Sequence, residues 1–400
     1  GFEGPERNGR FVLRDEQAIL RFYAHGVGRL DPSWKISIGE RFAAFREDVV
    51  PITPVFDYQG SGEDWFAMEM EYHAGEGVDI PREEVQRLLQ TGRSDRALGG
   101  GRVAVLDTEL EEQLRETIAD CDPGQDQPGV FRIDHRQAAY MRQAASEMGV
   151  AVTGGKDRPA VGATEPDLGD LADTLRPYQA EGVSWLWQLA ELGMGGILAD
   201  DMGLGKTLQT LAFLRARGGR ALVVCPSSLV SNWLAEAARF VPGVKAVAIE
   251  GPKRKTVLAD HPDADLLVTS YALLRLDREL YRDLEFEVVV LDEAQQIKNP
   301  EAQVTKAANA LQARHRFALT GTPLENSVRD LWSIMNFVMP GYLGAKKAFA
   351  ERFEKPLARG GEPALQRRLS RRVRPVLLRR LKQDVATDLP EKIEQVRFCE

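Results

Sequence analysis

The sequence predicts an α/β fold, in which a parallel sheet flanked by helices follows a smaller α+β domain. From residue 195 onward, short runs of Val, Ile and Leu alternate with helical patterns, and the runs are continuous rather than alternating. Such runs are typical of strands buried on both faces of a parallel sheet. Polar signatures follow the runs directly, where ligand-binding loops of such sheets lie. The predicted strands are residues 195–200, 221–226, 244–250, 265–271, 286–294 and 315–323.

Pattern and composition divide the chain into four predicted segments. Residues 1–151 form an α+β accessory domain, which includes a glycine-rich hairpin over residues 97–107. Residues 152–173 are rich in Gly, Pro and Asp and are expected to form a linker. Residues 174–340 carry the parallel sheet, and residues 341–400 form a basic helical segment.

Composition places the chain among ordinary globular proteins. Its 400 residues are 43% hydrophobic and 28% charged, and no apolar run approaches the roughly 18 residues that cross a bilayer. We find no signal peptide. Cys121, Cys225 and Cys399 lie far apart and form no metal-ligand spacing, and their odd number argues against a disulfide framework, so a reducing cytoplasm is expected.

Charge is distributed unevenly along the chain. The net charge is −8, yet residues 1–150 hold 17 basic and 28 acidic groups, whereas residues 341–400 hold 15 basic and 8 acidic groups. The run 367–382 is the most basic part of the chain. A solvated helix face explains a single charge run. The asymmetry is also typical of a protein in which one domain faces nucleic acid.

A phosphate-binding loop is predicted at residues 200–207, directly after the first strand of the sheet. The spacing matches G-x-x-x-x-G-K-[ST], except that Asp200 stands where the first glycine is usual. Backbone N–H groups of the loop and the following helix would cradle phosphate. Lys206 would reach the β- and γ-phosphates, and the Thr207 hydroxyl would coordinate Mg²⁺.

Two acids, Asp292 and Glu293, end the strand that begins at residue 286. The first can hold Mg²⁺ through water, and the second can orient and deprotonate an attacking water. The next strand ends in Thr320, Gly321 and Thr322, whose hydroxyls can contact the γ-phosphate side or the acid pair. A simple turn explains this last motif equally well in isolation.

These motifs together resemble a known family. The stretches LRPYQAEGVSWL, LADDMGLGKTLQT, LVVCPSSLVSNW, LLVTSYALL, VVVLDEAQQIKNP and RFALTGTPLENSVRDLWSIMNFVMPGYLG are similar, in order and spacing, to the first motor lobe of Swi/Snf-type ATPases of helicase superfamily two. The resemblance covers roughly residues 174–395 and implies a RecA-like P-loop lobe. That family tolerates Asp at the first loop position. Residues 1–150 resemble the accessory domain of some bacterial members, and Gln295 is similar to bacterial and archaeal ones.

The resemblance implies ATP and Mg²⁺ as ligands and assigns a role to each motif. The implied catalytic residues are Lys206, Asp292 and Glu293, with Thr207 and Asp292 on Mg²⁺. The implied nucleotide contacts are Arg176, Tyr178, Gln179, Asp201, Met202, Gly203, Leu204, Gly205, Lys206, Thr207 and Leu208. Coupling of nucleotide state to DNA is implied for Gln295, Thr320, Gly321 and Thr322. Contacts with the DNA backbone are implied for Pro226, Ser227, Ser228, Ser270 and Tyr271. Trp233 could serve that surface, although a Trp on a helix after a strand is more often core.

The implied activity is a DNA-dependent ATPase that moves along double-stranded DNA, without reading its sequence, and remodels or displaces bound protein. The family's catalytic arginines come from a second lobe, and no motifs of that lobe precede Glu400. We therefore expect these residues to be part of a longer protein and weakly active alone. A cytoplasmic, nucleoid-associated location, a monomer and no membrane partner are expected.

Two other functions remain open at this stage. The first is a strand-separating or RNA-directed helicase of the same superfamily. The second is a nucleotide-binding scaffold, with little turnover, that docks on RNA polymerase or another complex through its acidic N-terminal domain. Whether duplex or single-stranded nucleic acid stimulates ATP hydrolysis distinguishes a helicase from a duplex translocase. A pull-down with residues 1–150 alone tests the scaffold.

Overall fold

The protein divides into two compact units, Gly1–Arg158 and Pro159–Glu400, and the division falls within the segment 152–173 that was predicted as a linker. No helix in the described part of the chain is long and apolar enough to cross a membrane. The structure, a computed structural model, describes residues 12–31, 33, 35, 45, 48–61, 65–75, 77–127, 129–154, 164–321, 328–361 and 363–385.

The first unit is built on a mixed sheet. Its described strands are β1 (Val49–Ser61), β2 (Trp65–Ala74), β3 (Asp95–Gly99), β4 (Arg102–Leu106), β5 (Gly124–Gln127), β6 (Val130–Asp134) and β7 (Ala151–Gly154). The spatial order is β3-β4-β1-β2-β6-β5, and β7 pairs with β1. Strands β4 and β7 run parallel to β1, whereas β2 runs antiparallel to it.

Helices cover this sheet and enclose its core. The described α-helices are α1 (Glu16–Arg21), α2 (Arg82–Thr91), α3 (Thr108–Asp120) and α4 (Ala138–Met148). The predicted hairpin is present as β3 and β4. Its turn residues, Gly100 and Gly101, have positive φ, which glycine adopts at the lowest cost. Phe56, Met68 and Leu114 are among the buried side chains of the core.

The second unit contains the predicted parallel sheet. Its described strands are β8 (Gly196–Leu198), β9 (Ala221–Cys225), β10 (Ala246–Ala248), β11 (Leu266–Ser270), β12 (Glu285–Leu291), β13 (Gln312–Leu319) and β14 (Leu377–Leu378). They lie in the order β10-β11-β9-β12-β13-β8-β14, and all their pairings are parallel. Every residue of β9 and β11 is buried, as continuous apolar runs require.

Helices alternate with these strands, and their apolar faces join the sheet in one core. The described α-helices are α5 (Pro177–Glu191), α6 (Lys206–Arg217), α7 (Val230–Phe240), α8 (Val257–Asp260), α9 (Tyr271–Leu276), α10 (Arg278–Tyr281), α11 (Gln303–Asn309), α12 (Val328–Val338), α13 (Lys346–Phe349), α14 (Lys355–Ala358), α15 (Pro363–Val373) and α16 (Lys382–Val385).

The basic run 367–382 differs from the predicted helical segment in two ways. Leu377 and Leu378 form strand β14, because they extend the parallel sheet beside β8. Arg372 is buried rather than solvated. Its guanidinium donates to the carbonyl oxygen of Tyr342 and lies 5.8 Å from the centre of that ring. Part of this basic run is therefore structural, although its composition is typical of a surface.

A buried histidine lies in the sheet of the second unit. His315 of β13 places its Nε2 atom 3.2 Å from Nη2 of Arg217 and 3.6 Å from Oε1 of Glu287. Burial, aided by the charge of Arg217, lowers the pKa of His315 to about 4 from an ordinary value of 6.5. The ring is therefore neutral in the folded protein near neutral pH.

Acid should destabilise the second unit through His315. Between about pH 6.5 and pH 4 the unfolded chain binds a proton that the folded chain does not, so stability falls as the pH falls through this window. We expect a loss of about 3 kcal/mol, because the pKa falls from 6.5 to about 4 and one pKa unit corresponds to about 1.4 kcal/mol. Urea unfolding at several pH values measures it. His315→Gln should remove this component, and equal acid slopes in the parent and the variant would contradict the assignment.

Candidate nucleotide-binding site

The loop between β8 and α6 has the backbone geometry of a phosphate cradle. Gly203 and Gly205 have φ of 85° and 78°, which side-chain-bearing residues rarely adopt. A Cβ atom on Gly205 would also lie 2.4 Å from Nε2 of Gln179. The helix begins at Lys206, so its free N–H groups face the loop. This arrangement favours an anion at the N-terminus of α6.

Asp200, which stands where the first glycine is usual, anchors this loop. Its side chain is fully buried, and Arg380 pairs with it, with 2.5 Å between Nη2 and Oδ2 and 3.0 Å between Nε and Oδ1. Gln209 donates to the same carboxylate at 3.3 Å. A buried carboxylate needs such partners, since burying an unpaired charge is costly. The loop is thus fixed at its start by a side chain that glycine lacks.

Lys206 is held by the backbone of the loop and feels the charge of the acid pair. Its ammonium donates to the carbonyl oxygens of Asp200 at 2.7 Å and Asp201 at 3.4 Å. Burial lowers the pKa of Lys206, and the charges of Glu293 and Asp292 oppose this shift. The structure therefore brings the lysine and the acid pair together at the carboxyl edge of the sheet.

Asp292 is held from three sides. Its Oδ2 atom accepts a hydrogen bond of 2.9 Å from Nε1 of Trp233, and its Oδ1 atom accepts one of 2.9 Å from the N–H of Glu293. The hydroxyl of Tyr271 donates to its carbonyl oxygen at 2.8 Å. Burial raises the pKa of Asp292, and the bond from Trp233 works against this shift. The carboxylate is oriented before any ligand binds.

Glu293 adopts an uncommon backbone conformation. Its φ of 51° and ψ of 54° lie in the left-handed region, which is unfavourable for a residue with a side chain. Such outliers cluster at functional sites, where the surrounding structure holds them. The amide of Gln295 donates to Oε2 of Glu293 at 2.8 Å and accepts from the Thr320 hydroxyl at 3.2 Å. A hydrogen-bond chain therefore joins the acid pair to the end of β13.

Gly321, another predicted coupling residue, lies at this same end of β13. A Cβ atom on Gly321 would lie 2.8 Å from the Met202 side chain and 3.5 Å from Nζ of Lys206, so a larger residue there would disturb the loop. Met202 itself is exposed. Thr322 lies outside the described residues, and its predicted role stays a prediction.

The residues predicted for adenine lie at the start of α5. The Gln179 side chain accepts from the N–H of Arg176 at 2.9 Å and donates to the carbonyl oxygen of Leu204 at 3.2 Å. It therefore links the helix to the phosphate loop. Tyr178 is buried against Leu204. The Leu208 side chain packs against the core, so both leucines offer the ligand their backbone rather than their side chains.

The predicted DNA contacts divide into an exposed and an inward group. Ser227 and Ser228 are exposed on the short turn after β9, and Pro226 is half-buried beside them. Ser270 and Tyr271 are buried: the Ser270 hydroxyl caps α9 by accepting from Leu273 N–H, and Tyr271 supports Asp292. Their predicted contact with DNA stays a prediction, although both side chains face inward. Their position where β11 passes into α9 turns them beneath the sheet edge rather than toward solvent.

The described residues supply few metal ligands. No group of three or more His, Cys, Asp and Glu among them could hold a metal ion. Thr207 and Asp292 offer one hydroxyl and one carboxylate at this edge. Mg²⁺ is usually held by one or two carboxylates together with substrate phosphates rather than by a protein cage. The donor set therefore fits an ion that arrives with a nucleotide.

Sequence reasoning missed three residues of the site. Trp233 was weighed as a surface or core residue, but its N–H serves Asp292. Arg380 was counted within a basic run, but it neutralises Asp200. Gln209, one helical turn after the loop, donates to the carbonyl oxygen of Leu204 at 3.2 Å. The one sequence signal for these residues was Asp200, because an aspartate at a loop position that is usually glycine requires a positively charged partner if it is buried.

Comparison with known proteins connects this geometry to a family. A TATA-binding protein-associated factor, MOT1 of Saccharomyces cerevisiae, is 41% identical over 258 residues, which are 57% of this chain and 14% of that protein. YwqA of Bacillus subtilis is 41% identical over 56% of this chain and 26% of its own length. This chain thus spans only a minor part of these relatives.

Solved structures agree with this relationship. The Sulfolobus solfataricus SWI2/SNF2 ATPase core in complex with dsDNA is 41% identical, with a TM-score of 0.50 over 54% of this chain and 47% of that one. The Sulfolobus solfataricus SWI2/SNF2 ATPase core domain is 37% identical, with the same TM-score over 59% of this chain and 49% of that one. The model of the SNF2-related domain matches residues 178–400, more than half of the chain. The chain therefore belongs to the SNF2-related family of helicase superfamily two, and its second unit is a RecA-like ATPase lobe.

Proposed function

We propose that this protein hydrolyses ATP to move along double-stranded DNA and to displace or remodel protein bound there. The position of Lys206, Asp292 and Glu293 after the carboxyl ends of β8 and β12, two strands of one parallel sheet, carries the proposal. It is supported by the similarity to an ATPase core that was solved with double-stranded DNA. The whole protein's substrate is part of the proposal, because this chain spans a minor part of its relatives.

Hydrolysis follows from the charges at this edge. The ammonium of Lys206 now rests on two loop carbonyls and would turn to the β- and γ-phosphates of ATP. Glu293, held by Gln295, would orient the attacking water and accept its proton. Mg²⁺ bound with ATP would neutralise phosphate charge, and Thr207 and Asp292 would hold it. Buried, pre-oriented groups stabilise developing charge more strongly than solvated ones.

The hydrogen bond from Trp233 to Asp292 offers a route by which DNA binding would affect the nucleotide site. The exposed Ser227 and Ser228 begin the turn that leads into α7, and α7 carries Trp233. Hydroxyl and backbone N–H groups on such a turn suit contacts with backbone phosphates, which position DNA without reading its sequence. A shift of this turn would pass through Trp233 to Asp292.

Two alternatives share the same nucleotide site. A strand-separating or RNA-directed helicase would be stimulated by single strands or by RNA. A scaffold that docks through its N-terminal unit would turn over ATP slowly whichever nucleic acid is added. No further contact in the described residues favours the helicase or the scaffold. The nucleic acid that stimulates ATP hydrolysis most therefore decides among the translocase, the helicase and the scaffold.

We expect blunt duplex DNA to stimulate ATP hydrolysis by the full-length protein more than single-stranded DNA or RNA does. Ser227→Glu should weaken duplex binding by about tenfold or less and lower its salt dependence, because an added carboxylate repels backbone phosphate. Gln312→Glu adds the same charge at the amino end of β13 and serves as the control. Preferential stimulation by RNA, or unwinding of a blunt duplex, would refute the translocase.

Lys206→Ala should lower the affinity for ATP about tenfold to a hundredfold, because charge-assisted hydrogen bonds contribute about 1.5–3 kcal/mol. Hydrolysis should be lost. Calorimetric titration with ATP and Mg²⁺ measures affinity, and circular dichroism checks the fold. Lys306→Ala removes a surface lysine that pairs with Glu301 at 3.7 Å and should bind as the parent does. Unchanged affinity in the Lys206 variant would remove the phosphate assignment.

Trp233→Phe should slow hydrolysis and raise the Mg²⁺ concentration it requires. The ring is retained, but Asp292 loses one of its donors, and such supporting bonds are typically worth about 10- to 100-fold in activity or metal affinity. Trp332→Phe is the matched control, since it removes a similar 3.1 Å bond, here to the carbonyl oxygen of Gly344 rather than to an acid of the site. Equal effects of the two substitutions on the Mg²⁺ requirement would contradict a specific role for Trp233.

A further inference from the structure

The chain returns to the nucleotide edge at residues 377–385, which we call the strap. Leu377 and Leu378 form β14 and pair in parallel with β8, the strand that leads into the phosphate loop. The N–H of Ala199 donates to the carbonyl oxygen of Leu378 at 2.7 Å, and that of Asp201 donates to Arg380 at 3.0 Å. The strap therefore accompanies the loop from its first residue.

Arg380 of the strap is a hub that joins three elements of the nucleotide site. Its guanidinium holds both oxygens of Asp200 and donates to Oε1 of Gln209 at 2.7 Å and to the carbonyl oxygen of Tyr178. The same group lies 5.3 Å from the centre of the Tyr178 ring. Arginine suits this position, because its planar donors bind several acceptors in fixed directions.

The groups that Arg380 holds are those that shape the loop. Gln209 and Gln179 each donate to the carbonyl oxygen of Leu204 at 3.2 Å, between the two glycines with positive φ. The carbonyl that binds Arg380 belongs to Tyr178, the residue before Gln179. The phosphate side and the adenine side of the site thus meet at one guanidinium.

The packing around Arg380 leaves room for it. A Cβ atom on Gly182 would lie 1.9 Å from Oε1 of Gln209 and 2.8 Å from Nη2 of Arg380. Glycine inside a helix is unfavourable, and Gly182 lies within α5. Beyond Arg380, Val385 packs against Tyr178 and Leu204. Gly182 thus leaves space for the Arg380 side chain, and Val385 adds an apolar contact between the strap and the loop.

We propose that Arg380 is a positioning residue that makes ATP binding depend on docking of the strap. With the strap docked, Arg380 holds the loop and the start of α5 in the geometry that receives ATP. Without it, Asp200 carries an unpaired buried charge and the loop loses its anchor. Undocking of residues 377–385 would then lower ATP affinity through this one side chain. This inference rests on the proposed binding of ATP.

Three variants separate positioning from mere stability. Arg380→Met should lower both the melting temperature and, by about tenfold or more, the ATP affinity, because it removes charge-assisted bonds. Asp200→Asn combined with Arg380→Met removes the unpaired charge, so the melting temperature should largely recover while ATP affinity stays low. Arg380→Lys keeps the charge without the two-pronged geometry and should give intermediate affinity. Recovery of ATP affinity together with melting temperature in the double variant would overturn the proposal.

Arg217→Met is the matched control. Arg217 lies at the other end of α6 and pairs with Glu191 at 2.6 Å and Glu287 at 2.9 Å. It should lower stability and leave ATP affinity unchanged.

Calorimetric titration of ATP with Mg²⁺ into the 400-residue chain gives the affinities, and thermal unfolding gives the stabilities. If the parent binds no ATP, the proposed function fails and this inference with it. A different result would refute only the role of Arg380. In that case the parent binds ATP and Lys206→Ala weakens this binding, but Arg380→Met leaves it unchanged.

Discussion

Parallel pairing of the strands in the second unit is the constraint on which the site depends. Because all the pairings are parallel, the carboxyl ends of the strands meet at one edge, and residues separated by nearly two hundred positions become neighbours there. Both faces of the sheet are covered, so the edge is the place where polar groups can gather. Lys206, Asp200 and Asp292 lie there half-buried or buried, where charges interact more strongly than in water.

Each buried acid at this edge has a donor from a distant part of the chain. Trp233 on α7 serves Asp292, and Arg380 on the strap serves Asp200. These bonds offset the cost of burying charge and fix the direction of each carboxylate. The bond from Trp233 also connects the nucleotide site to another surface, since α7 follows the exposed serines.

The sheet and its loops could be predicted from sequence because buried parallel strands leave continuous apolar runs, and the polar residues after them mark one edge. Strand β14 could not, since two leucines within a basic run have no periodicity to detect. The inward orientation of Ser270 and Tyr271 could not be predicted, because a strand end is polar whether its side chains face solvent or the interior. The Trp233–Asp292 bond joins residues 59 positions apart, and only the folded sheet brings them together.

Asp200 shows why this loop departs from the usual glycine pattern. Among the described residues, positive φ outside glycine occurs at Asp122 and Glu293, so the backbone at Asp200 does not require glycine. The position is therefore free to carry a side chain, whereas Gly203 and Gly205, at positive φ, are not. A glycine at position 200 would keep the phosphate cradle but leave the guanidinium of Arg380 buried without its carboxylate. Asp200 and Arg380 therefore form one ion pair on which the loop depends. The structure of the phosphate loop is thus determined in part by a residue of the strap.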